Sequence, residues 1–318
     1  MPAPPDGRVE ALRPGDLVGV VAPGSAPADD AALAAGIERL AAHGFRVEVA
    51  PNVRARHGYL AGPDSVRLAA FNTFLRRPDV KALFCARGGY GSLRLLPDLD
   101  YEAARRHPKL LVGYSDVTAL HLALYHRAGW RGLSGPMVAV EWGHLDAASE
   151  RLFFELARGH SPDPLLGPGG ETLTPVRPGT AEGLLLGGNL AVLTRLIGTP
   201  YLPSLEGAIL FLEDVGEAPY RLDGLLAHLR LAGLLDRLGG VVLGGFTECD
   251  PPPDRPSLSL EQVFDDYFGR VPYPVARGLV YGHFPVKNTV PVGVRARLTV
   301  TDHRATLGLL EPAVRVPA

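Results

Sequence analysis

The sequence predicts an α/β protein: a parallel sheet covered by helices on both faces, followed by a smaller, more mixed α/β region. Three observations predict it. Short apolar runs alternate with stretches of helical apolar spacing from residue 16 to residue 126, the pattern of strands joined by crossover helices. Several of these runs end in turns rich in glycine or serine, where ligands of parallel sheets collect. The segment SPDPLLGPGGETLTPVRPGT, residues 161–180, sustains no period and reads as a linker. It divides an expected N-terminal domain, 1–160, from an expected C-terminal domain, 181–318.

Each element has its own justification. Residues 16–22 form an apolar strand that stops at Pro23-Gly24-Ser25. Residues 31–43 are an Ala-rich helix ended by Gly44. A second strand, 45–50, follows, and then a helix over 65–75 with Asp64 as its expected cap. Residues 80–86 and 109–112 are buried strands, and 117–126 is a helix. The second half holds a strand at 207–212, a helix at 220–231, a glycine-flanked strand at 241–244 and a helix at 261–268. Residues 292–300 and 305–310 alternate like a hairpin.

Composition narrows the function. With 318 residues, 46% of them hydrophobic and 21% charged, the chain is long enough for one large globular domain or two ordinary ones. A formal net charge of −2, without a basic run, argues against nucleic acid and anionic membranes as partners. No stretch approaches the ~20 uninterrupted apolar residues of a membrane span, and no signal peptide is read at the N-terminus. Cys85 and Cys249 are the only cysteines, which argues against a disulfide framework and for a reducing cytoplasm. So few cysteines, without clustered histidines, make a zinc site unexpected.

The chemistry concentrates in four places. Gly113-Tyr114-Ser115-Asp116 lies between an apolar strand and a helix, so Ser115 would sit on a sharp turn at a helix N-terminus, where developing negative charge is favoured. Asp116 is placed to cap that helix. Arg87-Gly88-Gly89-Tyr90-Gly91 also follows a strand, and its glycines let backbone amides approach a ligand as a phosphate cradle or an oxyanion donor, or simply form a tight turn. These two turns and Gly24-Ser25 should meet on one rim. Glu213-Asp214 ends a strand, Glu217 begins a helix, and His283 follows another apolar run. A serine, then an acid at 213 or 217, then a histidine are the components of a nucleophilic triad, which would draw on both domains and lie between them.

With these residues in hand, the chain resembles the LD-carboxypeptidase family of serine peptidases, which includes the microcin C self-immunity proteins. The resemblance rests on R-G-G-Y-G (87–91), G-Y-S-D (113–116), S-G-P-M (134–137), G-G-N-L (187–190), I-G-T-P (197–200), L-E-D-V-G-E-x-P-Y (212–220) and G-H (282–283). It implies a flavodoxin- or Rossmann-like N-terminal domain joined to a smaller C-terminal α/β domain. It implies Ser115 as nucleophile, His283 as base and Glu213 as acid, with Glu217 as the alternative register. The oxyanion would be held by the amides of Gly89 and Asp116. Arg87 and Ser134 are candidates for binding the substrate's carboxylate end. The implied reaction releases C-terminal D-Ala from murein tetrapeptides during cytoplasmic recycling, without metal or cofactor, by an enzyme expected to be a homodimer. The competing expectation is an immunity-type amidase that cleaves aminoacyl or peptidyl nucleotide analogues.

Overall fold

The computed structural model describes residues 6–254 and 256–316. In chain order the strands are β1 (Leu17–Val21), β2 (Arg46–Val49), β3 (Val80–Cys85), β4 (Leu110–Val112), β5 (Gly132–Ser134), β6 (Thr174–Arg177), β7 (Gly179–Asn189), β8 (Ile209–Val215), β9 (Gly240–Thr247), β10 (Val275–Arg277), β11 (Val290–Val292), β12 (Val294–Val300) and β13 (Ala305–Leu309). The helices are α1 (Asp30–Ala42), α2 (Asp64–Leu75), α3 (Tyr101–Arg106), α4 (Thr118–Ala128), α5 (Ala147–Ala157), α6 (Leu190–Thr194), α7 (Pro219–Leu231) and α8 (Leu260–Phe268). The chain divides into two units: residues 6–160 with 289–293 and 312–316, and residues 161–288 with 294–311. The expected α/β class is borne out.

The sheet of the first unit runs β11-β5-β4-β3-β1-β2, with β1 to β5 parallel and β11 antiparallel against β5. All five residues of β1 are buried, as a strand covered on both faces requires. The chain leaves β1 for β2 on one side and returns to β3 on the other. The carboxyl ends of β1 and β3 therefore flank the point where strand order reverses, the usual place for a site in such sheets.

The second sheet runs β13-β12-β7-β8-β9-β10-β6. Strands β7 to β10 are parallel, while β12 and β6 flank them antiparallel and β13 hairpins onto β12. The expected C-terminal hairpin is present as β12 and β13.

Three expectations need correction. Residues 161–180 are not a bare linker, because β6 bonds to β10 and β7 begins within them; backbone pairing ties down a segment whose composition has no period. Residues 289–293 and 312–316 fall in the first unit, the former because β11 pairs with β5. Asp64 does not cap α2: Pro63 holds that position, and the Asp64 carboxylate is taken up by Arg67 and Arg94. Among the described residues no helix is long and apolar enough to cross a membrane, and no group of three or more His, Cys, Asp and Glu side chains could hold a metal ion.

Candidate active site

The turn after β4 carries unusual backbone. Gly113 has φ of 150° and Ser115 has φ of 62°. Ser115 and Glu248 are the non-glycine residues with positive φ among those described. The left-handed region is unfavourable for a side chain with a Cβ, so the surrounding contacts must hold Ser115 there. Two of them are visible. The Nε2–H of His121, on α4, donates to the Gly113 carbonyl at 2.8 Å. Complete burial pushes that imidazole down to a pKa of about 4 and keeps it neutral. On the other side, Gly88 packs against the serine. A Cβ at residue 88 would lie 3.1 Å from Ser115 Cβ and 3.3 Å from both its Oγ and the Asp116 amide nitrogen.

The three expected loops do converge. Ser25 N–H donates to the Gly88 carbonyl at 3.0 Å, and the Ser25 hydroxyl accepts from the Tyr90 amide at 3.2 Å. Gly89 has φ of 79° and presses on Ser25, where a Cβ would come within 2.3 Å of its Oγ. Arg67, fully buried on α2, donates one guanidinium nitrogen to the carbonyls of Pro23 and Gly91 and so ties the first two loops together. Asp116 does not cap α4 as expected, because its carboxylate is engaged elsewhere. It is 1% exposed, and its Oδ2 accepts from the Ser92 amide at 2.8 Å. Burial raises its pKa.

The second unit holds the other candidates. Glu213, near the end of β8, is 0% exposed. Its Oε2 lies 2.7 Å from His283 Nδ1, and its Oε1 accepts from Asn189 Nδ2 at 3.1 Å. Gly282, with φ of 145°, delivers His283; a Cβ there would stand 3.4 Å from Glu213 Oε2. Glu217 faces Arg221 at 3.8 Å. Of the two acids the sequence left open, Glu213 is therefore the one bonded to the histidine. Asp214 is buried too. It accepts from the amides of Ala191 and Val215 at 2.9 Å each, and burial raises its pKa.

This geometry can be set beside known proteins. Residues 18–135 match the LD-carboxypeptidase N-terminal domain, and residues 182–298 match the LD-carboxypeptidase C-terminal domain. The chain belongs to the LD-carboxypeptidase family. It is 37% identical over 314 residues, 96% of either chain, to the probable murein peptide carboxypeptidase of Bacillus subtilis (strain 168). It is 29% identical over 316 residues to the Microcin C7 self-immunity protein MccF of Escherichia coli, covering 89% of this chain and 90% of that one. The crystal structure of muramoyltetrapeptide carboxypeptidase from Oxalobacter formigenes superposes with a TM-score of 0.82 at 31% identity, over 95% of this chain and 100% of that one. The chain is thus a hydrolase, a carboxypeptidase of a serine peptidase family.

The remaining candidates of this LD-carboxypeptidase separate. Arg87 borders a cavity and donates to the Ala26 carbonyl at 3.2 Å. Ser134 is 1% exposed at the end of β5, opposite Val290 of β11. Sequence reasoning missed Asn189, Arg67 and His121. Asn189 was visible within G-G-N-L, but its role needs the register β7–β8, which sets it beside Glu213. Arg67 and His121 sit inside helical patterns and carry no signal of their own.

Proposed function

We propose that this enzyme hydrolyses the amide between an L-configured centre and a C-terminal D-alanine in murein tetrapeptides, with Ser115, His283 and Glu213 as its triad. The observation that carries the reading is the 2.7 Å bond between His283 Nδ1 and Glu213 Oε2, made by an acid with no exposure. That bond directs Nδ1 to the acid and assigns proton transfer to Nε2, as a triad requires. The strained turn of Ser115 supports the same reading.

In the proposed reaction His283 removes the Ser115 hydroxyl proton as Oγ attacks the carbonyl carbon. The amides of Gly89 and Asp116 stabilise the oxyanion. His283 then gives its proton to the leaving D-alanine nitrogen as the C–N bond breaks. Water, deprotonated by the same imidazole, resolves the acyl-enzyme and restores Ser115. Glu213 orients the ring and stabilises its cation. The chain would divide the work between a nucleophile-bearing N-terminal domain and a C-terminal domain supplying acid and base. We place the reaction in cytoplasmic murein recycling by a homodimer, which gel filtration of the purified protein would test.

The first experiment follows D-alanine release from L-Ala-γ-D-Glu-diaminopimelyl-D-Ala by mass spectrometry, with Ser115→Ala alongside. Release by the wild type and a loss on the order of 10⁴ to 10⁶ in the variant is the expected result. Equal release by both would remove Ser115 from the mechanism. The similarity to MccF keeps a second reading, cleavage of an aminoacyl or peptidyl nucleotide analogue. A large preference for such a substrate in kcat/KM would replace the murein reading.

A further inference from the structure

Arg56 and Arg87 line one cavity of about 300 Å³ in the first unit, together with Ala26, Pro27, Tyr59 and Leu60. Cavities elsewhere carry acids, such as Glu261 and Asp265, Asp223, or Asp163. No acidic side chain lines this one. Among the described residues neither guanidinium is ion-paired: Arg87 spends one donor on the Ala26 carbonyl, and Arg56 makes no hydrogen bond. This is unlike Arg39, Arg77 and Arg94, each of which holds a carboxylate at 2.6–2.8 Å. Two guanidinium groups without an ion-pair partner on one cavity leave their planar forks available, and such forks suit a carboxylate.

The mouth of the cavity is also built. Tyr59 is 64% exposed and Tyr90 39% exposed, and their rings meet edge to face at 5.5 Å. Exposed aromatic rings beside a polar pocket are common at binding surfaces, where they bury area at small entropic cost. The wall is held rather than loose. Asn52 Nδ2 donates to the carbonyls of Ala22 and Ala61, and the Ala61 amide donates to Gly24 at 3.0 Å. Arg87 is followed directly by Gly88, the residue in contact with Ser115. The cationic cavity therefore begins one residue from the contact with the candidate nucleophile.

We propose that Arg56 and Arg87 bind the free carboxylate of the substrate's terminal D-amino acid, with Tyr59, backed edge-on by Tyr90, at the entrance. The pair would make the enzyme a carboxypeptidase rather than an endopeptidase by demanding a charged chain end. The inference rests on Ser115 being the nucleophile, because only then does the cavity adjoin the scissile bond.

The test compares a tetrapeptide ending in D-alanine with the same peptide ending in D-alaninamide, using wild type, Arg56→Gln and Arg87→Gln. The wild type is expected to favour the acid by on the order of 10²-fold in kcat/KM. Arg56→Gln should erase most of that preference by raising KM for the acid far more than for the amide. A wild type indifferent to the end group, or an Arg56→Gln variant with undiminished preference, overturns the proposal. Should the wild type cleave neither peptide, the murein reading fails, and a binding measurement still decides the site. N-acetyl-D-alanine and its carboxamide are then titrated calorimetrically into wild type and Arg56→Gln. Binding of the acid alone, lost in the variant, upholds the anion site; equal behaviour of the two compounds, or of the two proteins, rejects it.

Discussion

Replacing Glu213 with Gln preserves the volume of a fully enclosed side chain and removes its charge. Both carboxylate oxygens act as acceptors, Oε1 from Asn189 at 3.1 Å and Oε2 toward His283 Nδ1 at 2.7 Å. A primary amide supplies one acceptor and one NH₂. If Gln keeps its oxygen toward Asn189, its NH₂ faces Nδ1, and the imidazole must carry its proton on Nε2, where it cannot take one from a serine. If Gln flips, Asn189 confronts another donor in a site without water access. In either case the charge that stabilises the imidazolium is gone. Acid-to-amide changes in other triads lower kcat by ~10⁴, about 5 kcal/mol of transition-state stabilisation. The assay is D-alanine release under saturating tetrapeptide, with a thermal melt to confirm folding. Glu217→Gln is the control: it breaks a pair 3.8 Å apart between a half-buried carboxylate and a largely exposed guanidinium and should stay within about twofold of wild type. Glu213→Gln activity within tenfold of wild type, with Glu217→Gln the damaged variant, would refute the assignment.

Three further outcomes follow from the first unit. Gly88→Ala puts a methyl group 3.3 Å from Ser115 Oγ, and displacement of a reacting atom by less than an ångström is expected to cost about 10²-fold in kcat; a kcat unchanged from wild type would show that the turn yields without consequence. Arg67→Met leaves the buried Pro23 and Gly91 carbonyls without their donor and should destabilise the protein by about 2–3 kcal/mol, lowering kcat more than it raises KM, as urea unfolding and steady-state kinetics would read. His121→Gln tests a pH effect. With the folded imidazole at about 4 against an ordinary value of 6.5, the unfolded chain binds more protons between those values, so stability is full above pH 6.5 and falls by ~3 kcal/mol as pH drops to 4. The variant should lose that slope in pH-dependent unfolding, and an unchanged slope would assign acid sensitivity to other groups.

Much of this site was legible because apolar strands announce where they end. β3 and β4 are short buried runs followed at once by R-G-G-Y-G and G-Y-S-D, so residue order alone located both turns. β8 located Glu213-Asp214 in the same way. The choice between Glu213 and Glu217 was not legible, because both follow the apolar run and only the path of Gly282-His283 decides which carboxylate meets the ring. β5, β10 and β11 are three residues each, shorter than any detectable alternation, and their pairing depends on distant partners. β7 hid for a different reason: its end, Leu185-Leu186-Gly187-Gly188-Asn189, is buried without alternating. The expectation that Asp116 caps α4 failed because helix capping is a local rule, and a loop 24 residues away captured the carboxylate first.

The two units use the same device, and it explains why Ser115 and Glu213 are each followed by aspartate. Ser115 precedes Asp116, and Glu213 precedes Asp214. In each pair the second residue is buried and accepts a backbone amide from a neighbouring segment: Ser92 for Asp116, Ala191 at the start of α6 for Asp214. Burial raises both pKa values, so each carboxylate opposes folding increasingly as pH rises above its ordinary value of 3.8. Such groups are poor choices for stability alone. Their effect is positional, since each locks the segment next to the residue that must be held: Ser92 follows the glycine loop against Ser115, and Ala191 opens α6 just after Asn189, which orients Glu213. A neutral side chain in either place would remove the desolvation cost and release the loop, so both units accept lower stability at neutral pH in exchange for a fixed geometry at the ends of their parallel strands.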